Sequence, residues 1–203
     1  MNKLIAYAAL SMVAFSVTSA ADAVNTNRAS YFIDVQDFGP GHITAASAAE
    51  AHRRDLAAQQ QFGVRFINAW VDEEHGLIYN LSQAPDAPSI TSAHRAAKNS
   101  PPAQIMVVSE GESAAVLGGR KLFLDVHELG AGNVTAAAVA EAHKQDLKVE
   151  SEYGVNFITY WVDETNGRVL CLAEAASADD VRETHRHAHG LLPVSVTEVK
   201  TGN

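Results

Sequence analysis

The sequence predicts an α+β protein that contains one βαββαβ unit twice. Residues 31–98 align without a gap on residues 122–189 at a constant offset of 91, and 29 of the 68 aligned pairs are identical. Long runs are shared, such as AEAHxxDL at residues 49–56 and 140–147. Internal repetition of this kind determines the architecture first, because both copies must then form the same unit.

The first half of the second copy predicts a strand, a turn and a helix. Hydrophobic and polar residues alternate over Lys121–His127, which is typical of a strand with two different faces. Gly130 and Gly132 predict a turn. Thr135 is a favourable N-cap for an alanine-rich helix over Ala136–Tyr153.

The second half of this copy predicts strands over Val155–Asp163, Arg168–Glu174 and Pro193–Lys200, and a helix over Ala178–His189. Asn166-Gly167 is typical of a type I′ turn between the first two of these strands. Ser177 is a favourable N-cap for the helix. The resulting order, βαββαβ, is that of a ferredoxin-like unit.

A ferredoxin-like unit carries helices on one face of its sheet only, so its other face needs a cover. Two units in one chain can pack these bare faces together as an internal pseudo-dimer that resembles an α+β barrel. Glycines with small and acidic residues predict a linker between the units. We therefore expect a signal peptide at residues 1–23, repeat 1 at 31–109, a linker at 110–120 and repeat 2 at 121–200.

The N-terminal residues predict export. Lys3 precedes an apolar stretch from Leu4 to Val17, and small residues that suit cleavage follow it. This stretch is shorter than the roughly 20 residues that a membrane helix needs. The sequence therefore predicts a periplasmic or secreted protein with no membrane attachment after cleavage.

Charge and cysteine content restrict the partners and the source of stability. The formal net charge is −9 at pH 7, which argues against a nucleic-acid partner. Cys171 is the only cysteine, so stability must come from the core and from the pairing of the two repeats rather than from disulfides.

Histidines indicate where chemistry could occur. On a helical wheel His143 and Asp146 share the sheet-facing side of one helix. His185 and His189 lie one turn apart on another helix, and such a pair can chelate a metal ion. The same histidines also fit a structural role, either paired with Asp125 or Asp146 in the core or placed at a helix C-terminus.

Comparison of the two copies favours a metal site. The second copy has His127, Cys171, Glu174, His187 and His189 where the first has Gln36, Asn80, Gln83, Ala96 and Lys98. Each difference removes a group that can bind a metal, as expected if repeat 1 has lost a ligand set. We expect His127, Glu174, His185 and His189 to surround one site, with His143, Asp146 and Cys171 at the ion or directly behind its ligands.

Some details of this site stay open in the sequence. Asp125, which matches Asp34, is a candidate for orienting a ligand histidine. Whether His127 and the helix histidines converge depends on which face of the sheet is bare. Several imidazoles with a carboxylate suit Ni²⁺, Zn²⁺ or Cu²⁺ rather than Ca²⁺ or Mg²⁺. Cys171 would add affinity for copper or zinc, but it equally fits the role of a small buried hydrophobic residue.

The second copy resembles a family of small bacterial ferredoxin-like domains of unknown function that is associated with nickel binding. The matching motifs are FLDVHEL at 123–129, AEAHKQDL at 140–147, YGVNFITYWVDETNG at 153–167, CLAEA at 171–175 and HRHAHG at 185–190. The resemblance implies metal binding, nickel first, and dimeric pairing of domains. Repeat 1 keeps the scaffold motifs and departs at Gln36, Asn80, Gln83 and Lys98.

Three functions fit these observations. The first is an exported protein that holds nickel or a similar ion in repeat 2 for sequestration or sensing. The second is an enzyme that binds a small substrate in an apolar cavity between the repeats, with His143 and Asp146 as an acid/base couple. The third is a periplasmic interaction module whose histidines are structural. Because no nucleophile arrangement or cofactor fingerprint is present, the sequence favours a binding protein over an enzyme.

Overall fold

A computed structural model describes residues 29–202, so the predicted signal peptide lies outside the described residues. The strands are β1 Ser30–Asp37, β2 Arg65–Asp72, β3 Leu77–Ala84, β4 Gln104–Glu110, β5 Lys121–Glu128, β6 Asn156–Asp163, β7 Arg168–Ala175 and β8 Ser195–Thr201. The helices are α1 Ala45–Ala58, α2 Ala87–Ala96, α3 Ala136–Val149 and α4 Ala178–Ala188. None of the helices within residues 29–202 is both long enough and apolar enough to span a membrane.

The predicted helix starts are confirmed by their capping contacts. The Thr135 side chain accepts a hydrogen bond from the Ala138 backbone N–H, and Ser177 forms a reciprocal capping box with Asp180. Helix α3 is shorter than predicted, because a 3-10 turn over Glu150–Glu152 follows it. The Glu150 carboxylate accepts a hydrogen bond from Phe157 N at 2.9 Å, which fixes the chain as it enters β6.

The prediction of a type I′ turn at Asn166-Gly167 is wrong. A type I′ turn needs a positive φ at both central residues, and only Gly167 has one, at 71°. The four residues between β6 and β7 are instead held by Asp163, whose backbone oxygen accepts from Gly167 N at 2.9 Å and whose side chain accepts from Asn166 N at 3.1 Å. Gly167 is required because a Cβ would lie 1.8 Å from the Gly130 oxygen.

The eight strands form one closed barrel in the order β1-β3-β2-β8-β5-β7-β6-β4. Each repeat contributes four strands, and both strand pairings that join the repeats are antiparallel. Trp70 of β2 pairs with Thr201 of β8, and Glu110 of β4 pairs with Trp161 of β6. The two sheets therefore close on each other at both edges, which leaves no unpaired edge between them.

Alternation along the strands separates two apolar layers. Ile33, Trp70, Leu124 and Trp161 belong to a buried cluster shared by both repeats inside the barrel, where the two tryptophan rings lie 5.0 Å apart. Phe123, Phe157, Cys171 and Val181 belong to a separate cluster beneath α3 and α4 of repeat 2. The helix-covered face of repeat 2 is therefore the face that carries Phe123, Asp125 and His127.

Candidate metal centre

Four side chains that can bind a metal meet between the sheet of repeat 2 and its helices. Asp125 and His127 come from β5, Cys171 lies opposite Asp125 on β7, and His185 comes from α4. All four are buried, and one potential ligand atom of each lies within 4.8 Å of the others. The sequence left open whether His127 and the helix histidines converge, and the structure brings His127 and His185 together in the layer between the sheet and the helices.

His185 is held between two carboxylates. Its Nδ1 lies 2.9 Å from Asp146 Oδ1, and its Nε2 lies 3.3 Å from Asp125 Oδ2. Burial by itself would lower the pKa of His185, but the hydrogen bonds to Asp125 and Asp146 outweigh it and raise the pKa to about 10. The imidazole therefore carries a positive charge at neutral pH as long as no metal cation takes the place of its proton.

One carboxylate oxygen of Asp125, Oδ1, is available to contact a cation. Oδ2 contacts His185, whereas Oδ1 is buried and forms no hydrogen bond with any residue in the described part of the chain, although His127 Nε2 lies 3.2 Å away. Burial would raise the pKa of Asp125, but its contacts with His127 and His185 lower it to about 2. A buried, ionised oxygen without a hydrogen bond is costly, and a cation in this cluster would satisfy it.

Cys171 needs a cation before it can act as a ligand. Burial raises the pKa of its thiol well above the ordinary value, and the negative charges of Asp125 and Asp146 raise it further. The side chain is therefore a neutral thiol at neutral pH, shielded from solvent and oxidants. A coordinating metal ion deprotonates such a thiol, because the positive charge stabilises the thiolate.

Asp146 and His189 lie behind His185. The Nδ1 atom of His189 accepts a hydrogen bond from Leu191 N at 3.1 Å, so its proton sits on Nε2, which lies 3.2 Å from Asp146 Oδ1. Asp146, His185 and His189 form a second cluster of potential ligands. In it His189 is oriented as a donor to Asp146, so both residues position His185 rather than face the Asp125 cluster.

His143 and Glu174 do not join the cluster, which corrects the predicted ligand set. The His143 ring packs at a tilt against the Tyr160 ring with centroids 4.6 Å apart, and burial lowers its pKa, so it is a neutral imidazole in the wall of the site. Glu174 points to the opposite face of β7 because it shares the alternation of Leu170 and Leu172. The comparison of the repeats identified Glu174 as different, but not the reason for the difference.

Glu174 binds the linker instead. Its carboxylate accepts hydrogen bonds from the backbone N–H groups of Leu117 and Gly118, each at 2.7 Å, and from Asn156 Nδ2 at 3.0 Å. The residue is buried, and although burial would raise its pKa, these donors lower it. Within the described part of the chain, the matching residue in repeat 1, Gln83, accepts only from the side chain of Arg65 at the surface.

We expect Glu174→Ala to lower the free energy of unfolding by about 3 kcal/mol, because it leaves two backbone donors and one amide without their acceptor. The change is measured by urea denaturation followed by circular dichroism. Gln83→Ala, the matched control at the surface, is expected to change stability by less than about 0.5 kcal/mol. Equal effects of the two substitutions would contradict this role of Glu174.

A cavity of about 120 Å³ adjoins the cluster. Its lining includes His127, His143, Tyr160, Cys171, His189 and Leu191. The enzyme hypothesis requires a cavity between the repeats, but this one lies under the helices of repeat 2. The sequence analysis did not identify Tyr160 as part of the site. The signal in the sequence was that Tyr160 stands where repeat 1 has Ala69. Gly111 makes room for its ring, since a Cβ at Gly111 would lie 2.1 Å from a ring atom.

Repeat 1 keeps the scaffold of this site and two of its four potential ligands, Asp34 and His94. His94 lies between Asp55 Oδ1, at 2.9 Å, and Asp34 Oδ1, at 3.3 Å, as His185 does in repeat 2. Asn80 Nδ2 donates to Asp34 at 3.0 Å, and Gln36 donates to the Ser100 oxygen. Amide hydrogen bonds thus fill the positions that His127 and Cys171 occupy in repeat 2.

The donor set of repeat 2 fits a transition metal. It offers two imidazoles, one thiol and one carboxylate, which are ligands of borderline ions such as Ni²⁺, Zn²⁺ and Cu²⁺. Ligand atoms on one tetrahedral ion lie about 3.5 Å apart. The four atoms already lie within 4.8 Å of one another, so small side-chain movements would bring them to the spacing that one ion needs.

Comparisons with known proteins agree with this picture at the level of the family and the fold. A family model described as "Nickel responsive protein SCO4226-like" matches residues 32–108 and 123–199, once in each repeat. SCO4226 from Streptomyces coelicolor A3(2) is 35% identical, over 37% of this chain and 90% of its own, with a TM-score of 0.35. No curated protein matches the chain.

Two other solved structures match this chain over both of its repeats. A putative monooxygenase from Lactobacillus acidophilus NCFM is 10% identical, over 87% of this chain and 95% of its own, with a TM-score of 0.50. A heme-binding protein from Thermus thermophilus is 10% identical, over 85% of this chain and 91% of its own, with a TM-score of 0.46. At such low identity the first of these likenesses shows a shared fold only.

Proposed function

The chain belongs to the family of nickel-responsive SCO4226-like proteins, and from this premise we propose that it is an exported protein that holds a divalent transition metal ion in repeat 2. Sequestration or sensing of the ion would be its purpose. Nickel is the ion that the family description indicates, and zinc and copper suit the same donors. The single observation that carries the proposal is the buried cluster of Asp125, His127, Cys171 and His185.

Some residues of the cluster would bind the ion directly, and others would hold these ligands in position. Asp125 and His127 present ligand atoms from one strand, and Cys171 presents its sulfur from the neighbouring strand. Asp146 accepts the Nδ1 proton of His185, which leaves Nε2 directed at the cluster. A carboxylate behind a ligand histidine fixes the ring and increases its basicity. A bound cation would contact the Asp125 oxygen Oδ1, which is buried and accepts no hydrogen bond from any described residue.

Two further features belong to this proposal. Export is supported by the signal-peptide pattern of residues 1–23. An internal pseudo-dimer, in which tandem fusion replaces the pairing of separate chains, is supported by the closed barrel with four strands from each repeat. Because repeat 1 lacks two of the four donors, we propose one such site per chain.

The test exchanges the ligands of repeat 2 for the residues that repeat 1 carries at the same positions. Isothermal titration of the wild-type protein with Ni²⁺ should give about one ion per chain. His127→Gln with Cys171→Asn should weaken binding by more than about 100-fold, since loss of even an outer partner of a ligand costs about 10- to 100-fold. Repeat 1 already accommodates this amide pair in the same fold, so folding should persist.

The matched control is Gln36→Ala in repeat 1, which should leave Ni²⁺ binding unchanged. Circular dichroism and the unfolding midpoint check that each variant is folded. If the wild-type protein binds none of Ni²⁺, Zn²⁺ and Cu²⁺, or if the double variant binds as the wild type does, the histidines are structural and the proposal is wrong.

A further inference from the structure

We propose that the cavity under α3 and α4 of repeat 2 is a second binding site, which takes a small neutral molecule with an apolar body and one hydroxyl group. The hydroxyl group would form a hydrogen bond with His143. This site adjoins the proposed metal ligands, but most of the residues that line it are others, and its contacts with the molecule would not involve an ion. The inference therefore goes beyond the proposed function and can hold or fail independently of it.

The size and lining of the cavity define the apolar body of this molecule. The volume is about 120 Å³, and much of the wall is apolar, including Val139, Ala142 and Val169. An engineered apolar cavity of about 150 Å³ binds benzene, so this one suits a molecule of about six or seven non-hydrogen atoms that reaches toward the surface. Ala138 and Leu191 line the cavity and are exposed, so it opens to solvent between them.

His143 supplies the polar contact. The residue is only 6% exposed, lines the cavity and forms no hydrogen bond or ion pair through its ring with any of residues 29–202. Such a group is unusual, because a buried polar group without a partner is costly. Burial lowers the pKa of His143, so the neutral ring has one N–H donor and one acceptor nitrogen. A hydroxyl group can donate or accept, and it therefore suits either tautomer of this ring.

Neighbouring rings hold His143 and the cavity wall in place. The His143 ring packs against the rings of Tyr160 and Phe157, with centroids 4.6 Å and 6.0 Å away. The Tyr160 hydroxyl accepts a hydrogen bond from the Glu112 backbone N–H, and the lack of a Cβ at Gly111 leaves room for the Tyr160 ring. The cavity is therefore preformed, and a preformed site loses less conformational entropy when a ligand binds.

The charged groups at the inner end of the cavity favour a neutral molecule. Asp146 Oδ1 lies 2.9 Å from His185 Nδ1 and 3.2 Å from His189 Nε2. These groups are paired with one another, so an ionised ligand would lose its hydration without gaining a partner, which is costly. The net charge of −9 further disfavours an anion.

The test uses phenol as the probe. Chelator-treated protein and Ni²⁺-treated protein are each titrated with phenol, and binding is followed by NMR through the backbone amide shifts. We expect both samples to bind one phenol per chain with a dissociation constant of about 1 mM or tighter, and the shift changes to cluster on α3 and β6. Benzene, which lacks the hydroxyl group, should bind about 3- to 10-fold more weakly. Benzoate, a charged probe of similar shape, should bind at least about tenfold more weakly than phenol.

Substitutions in the wall assign the binding to this cavity. Ala142→Leu should weaken phenol binding by about tenfold or more, because the larger side chain takes up much of the space. Ala51→Leu, at the matching position of α1, should leave binding unchanged. His143→Phe should reduce the affinity for phenol to that for benzene. Circular dichroism checks that each variant is folded, and Val139→Phe takes the place of Ala142→Leu if that variant is not.

Three results would overturn the inference: no saturable binding of phenol, unchanged binding in a folded cavity-filling variant, or benzoate bound as tightly as phenol. The proposed function is tested separately by the same samples. Phenol binding to a protein that takes up no Ni²⁺, Zn²⁺ or Cu²⁺ would support this inference and contradict the proposed function. A protein that binds an ion but no phenol would contradict this inference alone.

Discussion

Gln36→His combined with Asn80→Cys is expected to give repeat 1 a metal site and to raise the stoichiometry from one ion per chain to two. Repeat 1 already has the rest of the site, since His94 lies between Asp34 and Asp55 as His185 lies between Asp125 and Asp146. Only the amides of Gln36 and Asn80 occupy the positions of an imidazole and a thiol. The physical reason for the expected gain is therefore local replacement of hydrogen-bonded amides by ligands.

The gain is measured by isothermal titration with Ni²⁺ and Cu²⁺, together with metal analysis of the dialysed protein. Each single substitution serves as a control, because one added donor should bind far more weakly than two. Combining the double substitution with His127→Gln and Cys171→Asn should move the site from repeat 2 to repeat 1 and keep one ion per chain. A folded double variant that still binds one ion would show that the scaffold of repeat 1 cannot close around a metal.

The stability of the metal-free protein is expected to decrease as the pH rises from 7 to 10. Burial alone would lower the pKa of His94, but its close contacts with the carboxylates of Asp34 and Asp55 raise it to about 9. A group whose pKa is raised on folding stabilises the native state fully below its unfolded pKa, near 6.5, and loses this contribution as the pH passes its folded pKa. For His94 the loss amounts to about 3 kcal/mol.

His185, with a pKa of about 10, adds a loss of the same sign at slightly higher pH. Urea denaturation of the chelator-treated protein at several pH values measures the effect. His94→Gln should be less stable at pH 7, and its stability should fall less between pH 7 and pH 10. Repeating the series in 1 M NaCl screens the surface ion pairs but not the buried histidines, so the pH dependence should persist. A flat profile would contradict the charged state assigned to His94.

Much of the fold could be predicted from local patterns. The alternation over Lys121–His127 and the caps Thr135 and Ser177 act within a few residues, and the structure has them as predicted. The turn type predicted from Asn166-Gly167 was wrong, because the same dipeptide also fits a longer turn. In that turn Asp163 accepts hydrogen bonds from the backbone N–H groups of Asn166 and Gly167. The 3-10 turn after α3 was not predicted either, and Glu150 at its start accepts a hydrogen bond from Phe157 N, a contact that no local pattern contains.

The sequence by itself determined that the chain contains one unit twice, that the unit is βαββαβ and that only repeat 2 carries a full set of metal-binding side chains. Only the tertiary structure decided which of these side chains meet. His127 and Cys171 join His185 because their strand faces are covered by α3 and α4, whereas Glu174 faces the other way and binds the linker. Side-chain periodicity is a local property, but the choice of which face is covered depends on how the two sheets close into one barrel.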